Sequence, residues 1–225
     1  PTGADGLMPF RQNNDLLYLS GIDQEETILV LFPDFYHKTQ REILFIKETS
    51  ELIAIWEGHK FTKEEASAIS GISEVYWVSE FKQVFNTLMA EAKHVYLNTN
   101  EHIRAVVEVE TRDARFGKWC RDHYPNHEYE RSAPPMHQLR AIKSLEEVDM
   151  MQKACNITEK GFRRVLEFVK PGVMEYEIQA EYMHEFLRNR SRGFAYEPII
   201  ASGFNACVLH YIDNNAECKD GDVIL

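Results

Sequence analysis

An α/β domain with a mixed sheet, followed by a second unit that opens with two long helices, is the fold class this sequence predicts. Three observations predict it. Over about the first 130 residues, short runs of branched and aromatic residues alternate with segments of helical spacing. A proline-bearing stretch without sustained period, Tyr124 to Met136, then separates this part from the rest. Beyond it come two apolar stripes at spacings of three and four, the first opened by a capping box.

The elements follow in order. Thr27 to Phe32 and Glu42 to Ile46 read as neighbouring strands, with Pro33-Asp34 supplying the turn that leaves the first. Leu52 to Trp56, ended by Gly58, is a short extended or helical piece. Val75 to Val78 is a strand, Phe81, Val84, Phe85, Leu88 and Met89 lie at helical spacing, and His94 to Leu97 closes a strand-helix-strand unit. Ile103 to Val109 alternates apolar and polar residues, and Phe116 to Cys120 suggests a short helix. Pro125, Pro134 and Pro135 mark a linker. Ser144-Leu-Glu-Glu147 then begins a helix of roughly seven turns, whose stripe of Val148, Met151, Cys155, Thr158, Phe162, Val165 and Val169 is expected to be buried. Lys170-Pro171-Gly172 ends it. A second helix runs from Tyr176 to about Arg190 with Ile178, Tyr182 and Phe186 on one face. The closing segment places Ser202-Gly203-Phe204-Asn205 after an apolar strand and delivers His210 at the end of a second apolar run, Val208 to Tyr211.

Composition restricts the partners. With 25 basic and 36 acidic residues the formal charge is −11, and no long Lys/Arg block offers a grip on phosphate, which argues against nucleic acid. No apolar stretch is long enough to span a bilayer, and no charged leader precedes an apolar core, so a cytoplasmic protein without membrane contact is expected. The four cysteines form no Cys-x-x-Cys pair and are expected to be reduced.

Two blocks carry a family resemblance. Pro9-Phe-Arg-Gln-Asn-Asn-Asp-Leu-Leu-Tyr-Leu-Ser-Gly21 resembles the signature of the amino-terminal domain of the Xaa-Pro aminopeptidases (aminopeptidase P). Arg140-Ala-Ile-Lys-Ser144, the capped helix, Lys170-Pro-Gly-Val-Met-Glu-Tyr176, Tyr196-Glu-Pro-Ile-Ile-Ala-Ser-Gly-Phe-Asn205 and Val208-Leu-His-Tyr211 resemble, in that order, the opening of a pita-bread metallopeptidase domain. The resemblance implies a creatinase/aminopeptidase P amino-terminal domain over residues 1–137, linker included. An incomplete α+β pita-bread domain over 138–225 follows it. It also implies hydrolysis of the bond between an amino-terminal residue and a following proline, in peptide substrates, by two divalent ions, manganese in this family. Their carboxylate and imidazole ligands are expected beyond Leu225, so no metal ligand is assigned here and the fragment alone is expected to be inactive.

The same resemblance assigns roles to individual residues. His210 hydrogen-bonds the substrate carbonyl and the tetrahedral intermediate, with Tyr211 beside it in contact with substrate. Trp56 reaches a neighbouring subunit's site as an apolar lid, implying a homo-oligomer; judged alone it reads as a core aromatic. Asp5 reads alone as a turn former and by resemblance lies near the substrate. Arg11, Asn13 and Asp15 organise the first domain through hydrogen bonds. His123 and His127 have the spacing of helical metal ligands, but Pro125 between them breaks that helix. A metal-free creatinase-like hydrolase and a non-catalytic peptide-binding module remain the alternatives.

Overall fold

The computed structural model describes residues 9–99 and 108–225. Asp5 and most of the alternating Ile103 to Val109 run lie outside them. The chain divides into two compact units, Pro1–Arg140 and Ala141–Leu225.

The first unit begins with α1 (Asn14–Ser20), whose cap Asn13 accepts hydrogen bonds from the amides of Asp15 and Leu16. Strand β1 (Ile28–Leu31) pairs antiparallel with β2 (Glu42–Ile46), Leu29 opposite Leu44. Leu52 to Trp56 settles as a helix, α2 (Glu51–Glu57), capped by the Ser50 hydroxyl. Helix α3 (Lys63–Ser70) is held at its start by a reciprocal Thr62–Glu65 capping box and leads into β3 (Glu74–Trp77), parallel to β2. The sheet is therefore mixed, in the order β1-β2-β3. Its central strand explains the core: Ile43, Leu44, Phe45 and Ile46 are all fully buried because both faces are covered. Ile43 and Phe45 join Phe35, Phe81, Phe85 and Leu88 on one face. Leu44 and Ile46 join Ile22, Ala66 and Ile72 on the other.

Helix α4 (Phe81–Met89) buries Phe81, Phe85, Leu88 and Met89, the face its spacing predicts. Strand β4 (His94–Leu97) pairs parallel with β5 (Glu128–Arg131), and between them lies α5 (Arg112–His123). Two expectations fail here. The short helix expected at Phe116 to Cys120 is twelve residues long, since Thr111 caps it and polar residues extend it beyond the apolar positions that reveal it. The expected linker is ordered structure, forming β5 and the start of α6 (Ala133–Ala141). Pro134 and Pro135 occupy the first turn of α6, where a missing N–H breaks no intrahelical bond. The Tyr129 hydroxyl lies 2.8 Å from the carbonyls of both Cys120 and Tyr124 and shares its one proton between them, tying β5 back to α5.

In the second unit, α7 (Leu145–Phe168) starts at the expected Ser144–Glu147 capping box and packs against α8 (Glu175–Arg188). Gly161 is required at that contact, because a Cβ there would stand 2.8 Å from Tyr182 Cδ1. Within this chain, which spans about half the length of the relatives it matches, only part of the expected stripe along α7 is covered. Gly161 and Val165 are buried, whereas Val148, Met151 and Phe162 are 51%, 56% and 52% exposed. Periodicity marks the face that can be buried and says nothing of how much of it α8 covers. A small core of Val165, Val173, Ile178, Ile200 and Cys218 closes the unit. Around it, Ala201 exchanges backbone hydrogen bonds with Leu225, and Gly203 donates to Val223.

Candidate active site

The segment that carries His210 is not the strand its apolar residues suggest. Gly203–Cys207 form a 3₁₀ turn, Val208 N–H donates to the Asn205 carbonyl, and Tyr211 N–H donates to that of Val208 at 3.3 Å. These bonds coil the run, so the alternation of faces that a strand would impose is lost and Phe204, Leu209 and His210 are all exposed. Gly203 makes the bend possible. Its φ is +56°, and a Cβ would stand 2.9 Å from Asp222 Oδ1.

What fixes this exposed segment is a buried carboxylate. Glu175, in the first turn of α8, is fully buried. One oxygen accepts from the Ser202 N–H at 2.6 Å and from the Ser202 hydroxyl at 2.8 Å; the other accepts from the Tyr211 hydroxyl at 2.8 Å and the Ala216 N–H at 2.9 Å. Four donors on two oxygens meet the requirement for burying a charge away from water. Burial pushes the Glu175 carboxyl up, but the hydrogen bonds from Ala216, Tyr211 and Ser202 outweigh it and hold the group below the usual carboxylate value. Burial and the bond to Glu175 raise the Tyr211 phenol.

Asn214 is a second clamp. Held at a φ of +47° and buried, it accepts from the Ile200 N–H at 2.9 Å and donates to the Pro198 carbonyl at 2.9 Å and to Gln179 Oε1 at 3.0 Å. The loop from Pro198 to Ala216 is thus closed at its base by two side-chain networks. The His210 imidazole itself makes no hydrogen bond or ion pair among the described residues. An exposed imidazole on a tethered loop can donate to, or accept from, an oxygen brought to it.

Of the predicted site residues, the structure brings His210 and Tyr211 together by sequence adjacency and anchors the second through Glu175. Asp5 lies outside the described residues. Trp56 is in the other unit, near the end of α2, and is 81% exposed within this chain. Leu52 and Ile55 are exposed on the same helix. No residue of α2 is buried. The helix is held by its caps and by an ion-pair ring in which Lys47 meets Glu57 at 2.8 Å and Lys60 meets Glu25 at 2.5 Å.

The amino-terminal signature is largely structural. Gln12 Nε2 donates to the carbonyls of Ile22 and Gln24, Asn13 caps α1, and Asp15 pairs with Arg140 at 2.5 Å. His123 Nδ1 and His127 Nε2 lie 2.9 Å and 2.7 Å from the carbonyls of Trp119 and Met89, so each ring is engaged by the backbone. Sequence reasoning assigned Glu175 no role. A Glu in the first turn of a helix ordinarily complements the helix dipole at the surface, and its one signal was its place in the Lys170-Pro-Gly-Val-Met-Glu-Tyr176 block. Among the described residues no three His, Cys, Asp or Glu side chains are grouped to hold a metal ion, so this part of the chain does not fit a dinuclear centre.

Comparison with known proteins places these features. Residues 1–96 match the family profile described as aminopeptidase P, N-terminal domain, and residues 149–225 match that of metallopeptidase family M24. The chain is 32% identical to the Xaa-Pro aminopeptidase of Escherichia coli over 99% of its own length, and spans 50% of that relative. A Bacillus anthracis structure, solved as a candidate aminopeptidase P, superposes with a TM-score of 0.88 at 32% identity, covering 100% of this chain and 53% of the other. The Zn-substituted E. coli aminopeptidase P in complex with product gives 0.82 at 30% identity, covering 100% and 51%. The chain therefore spans about half the length of the relatives it matches. Over its whole length the chain is thus similar to aminopeptidase P, its first part matching that family's amino-terminal domain and residues 149–225 matching metallopeptidase family M24.

Proposed function

We propose that the complete protein is a metalloaminopeptidase that removes the amino-terminal residue from peptides with proline in second position. The observation that carries this reading is the likeness to aminopeptidase P over the whole chain, through both units and in one order. The amino-terminal profile matters most, because it is that of aminopeptidase P itself. The metal centre of the complete enzyme, two divalent ions and manganese by resemblance, would be held by residues outside this chain, and the hydrolytic steps at the metals belong there.

This chain's own contribution is the wall on which substrate is oriented. In this reading His210 donates a hydrogen bond to the carbonyl oxygen of the residue before proline. That contact strengthens as negative charge gathers on the oxygen, which favours the transition state over bound peptide. Proline leaves as a secondary amine, having had no amide hydrogen to offer the site in the ground state. Tyr211 contacts the substrate with what its engaged hydroxyl leaves available. Trp56 is an apolar lid on the site of a second copy in a homo-oligomer; its exposure beside Leu52 and Ile55 supports this. Asp5 is retained as a substrate contact by resemblance alone. A cytoplasmic setting is supported by four unpaired thiols, of which Cys155 and Cys207 are exposed.

The test is a pair of peptides differing only in proline or alanine at the second position, given to the complete protein with and without a chelator. Release of the first residue from the proline peptide alone, lost on chelation and restored by manganese, is expected. Equal cleavage of both peptides, or cleavage indifferent to metal removal, would sink the reading.

A further inference from the structure

We propose that Glu175 is a positioning residue for His210: its carboxylate ties both flanks of the His210 loop to the start of α8 and so sets where the imidazole meets the substrate. The inference rests on the functional reading above and deepens it. Its basis is where the four donors come from. Ser202 lies on the amino-terminal flank of the loop, Tyr211 immediately follows His210, and Ala216 lies on the carboxy-terminal flank; all three reach the same carboxylate. The backbone adds a return bond, Glu175 N–H to the Ala216 carbonyl at 2.9 Å.

The loop has little else to fix it locally. Phe204, Leu209 and His210 are exposed within this chain, so apolar packing among the described residues does not set the segment between the tethers. The Tyr211 hydroxyl is the tether nearest to His210, and it also lies 3.3 Å from Asn215 Oδ1. Asn214 acts differently: it joins Ile200, Pro198 and Gln179 at the base of the loop and reaches nothing between Ser202 and Tyr211. A carboxylate suits the position because two acceptor oxygens are needed for donors converging from both sides. An amide of the same shape would turn an N–H₂ group toward one pair of donors.

The experiment uses the complete protein and four variants: Glu175→Gln, Tyr211→Phe, His210→Ala, and Glu175→Gln combined with His210→Ala. Glu175→Gln is expected to lower kcat about 10–100-fold with little change in KM, the scale for displacing a catalytic group by about an ångström. Tyr211→Phe, which deletes one donor and leaves the ring in place, shifts kcat in the same direction by less, and covers the case in which Glu175→Gln folds poorly. In the His210→Ala background, Glu175→Gln adds no further loss of kcat, because the group it positions is gone. Amide hydrogen exchange across residues 203–211 is faster in both Glu175→Gln and Tyr211→Phe.

A purely structural Glu175 would give additive losses in the double variant, and those would overturn the proposal. Unchanged exchange across the loop would overturn it equally. If His210→Ala leaves turnover intact, the role of His210 in the functional reading fails, and the exchange measurement alone decides whether Glu175 holds the loop.

Discussion

The two exposed side chains proposed to meet substrate, Trp56 and His210, are anchored in opposite ways. Trp56 rides on a two-turn helix with no buried residue, held by caps and by ion pairs whose members, Glu57 and Glu25 among them, are partly open to water. Such pairs contribute about 0–1 kcal/mol each and weaken with salt. His210 rides on a loop without regular structure whose flanks converge on one buried, fully hydrogen-bonded carboxylate. Removing that carboxylate would leave the two donors of buried Ser202 unpaired, at about 1–3 kcal/mol for each. Regular secondary structure is therefore a poor guide to rigidity here, and the partners of the polar groups are a better one.

The largest effect should come from His210 itself. His210→Ala in the complete enzyme is expected to reduce turnover on a proline peptide by about 10²–10³, the range for losing one oxyanion donor. Metal content and melting temperature should stay close to those of the parent, because the exposed imidazole contributes no packing. A lowered melting temperature with turnover intact would make His210 structural and erase the contrast with Trp56.

Next is the pH dependence of Glu175. Its carboxyl is held below the ordinary value of 4.5 in the folded protein. The stabilisation is therefore fully present above the unfolded value and is lost as pH falls below 4.5 through the lowered folded value. Unfolding followed by denaturant between neutral and acid pH should show this loss in the parent and a flatter profile in Glu175→Gln, which has no carboxyl to titrate. Identical slopes would mean that the carboxylate is not what secures the loop.

The smallest effect on stability should be at Trp56. Trp56→Ala is expected to change folding stability by less than about 0.5 kcal/mol, as befits a surface position, yet to raise KM for peptides in the assembled enzyme. Raising salt to about 1 M, which shortens the screening length to roughly 3 Å, should disturb α2 and leave the His210 loop unmoved, read by hydrogen exchange in each segment. A loss of about 3–5 kcal/mol on truncation, the scale for a buried Trp, would place Trp56 in a core and end the comparison.

What the sequence determined by itself is local. The Ser144–Glu147 box starts α7 because its two hydrogen bonds join residues three apart. The face of α4 is buried as spaced because Phe81, Phe85, Leu88 and Met89 share one side of any helix drawn through them. The strands β1, β2, β3 and β4 were legible from their branched and aromatic runs, and the likeness to aminopeptidase P from two motif blocks. Tertiary structure alone decided the rest. It covered both faces of β2, turned the expected linker into β5 and α6, and coiled the apolar run ahead of His210 that alternation suggested was extended. It also buried Glu175 beneath donors from Ser202, Tyr211 and Ala216. The physical reason is range. Caps and periodicity are settled within a turn or two of chain, whereas the burial of a face and the partners of a polar group depend on segments far apart in sequence that only the folded chain brings together.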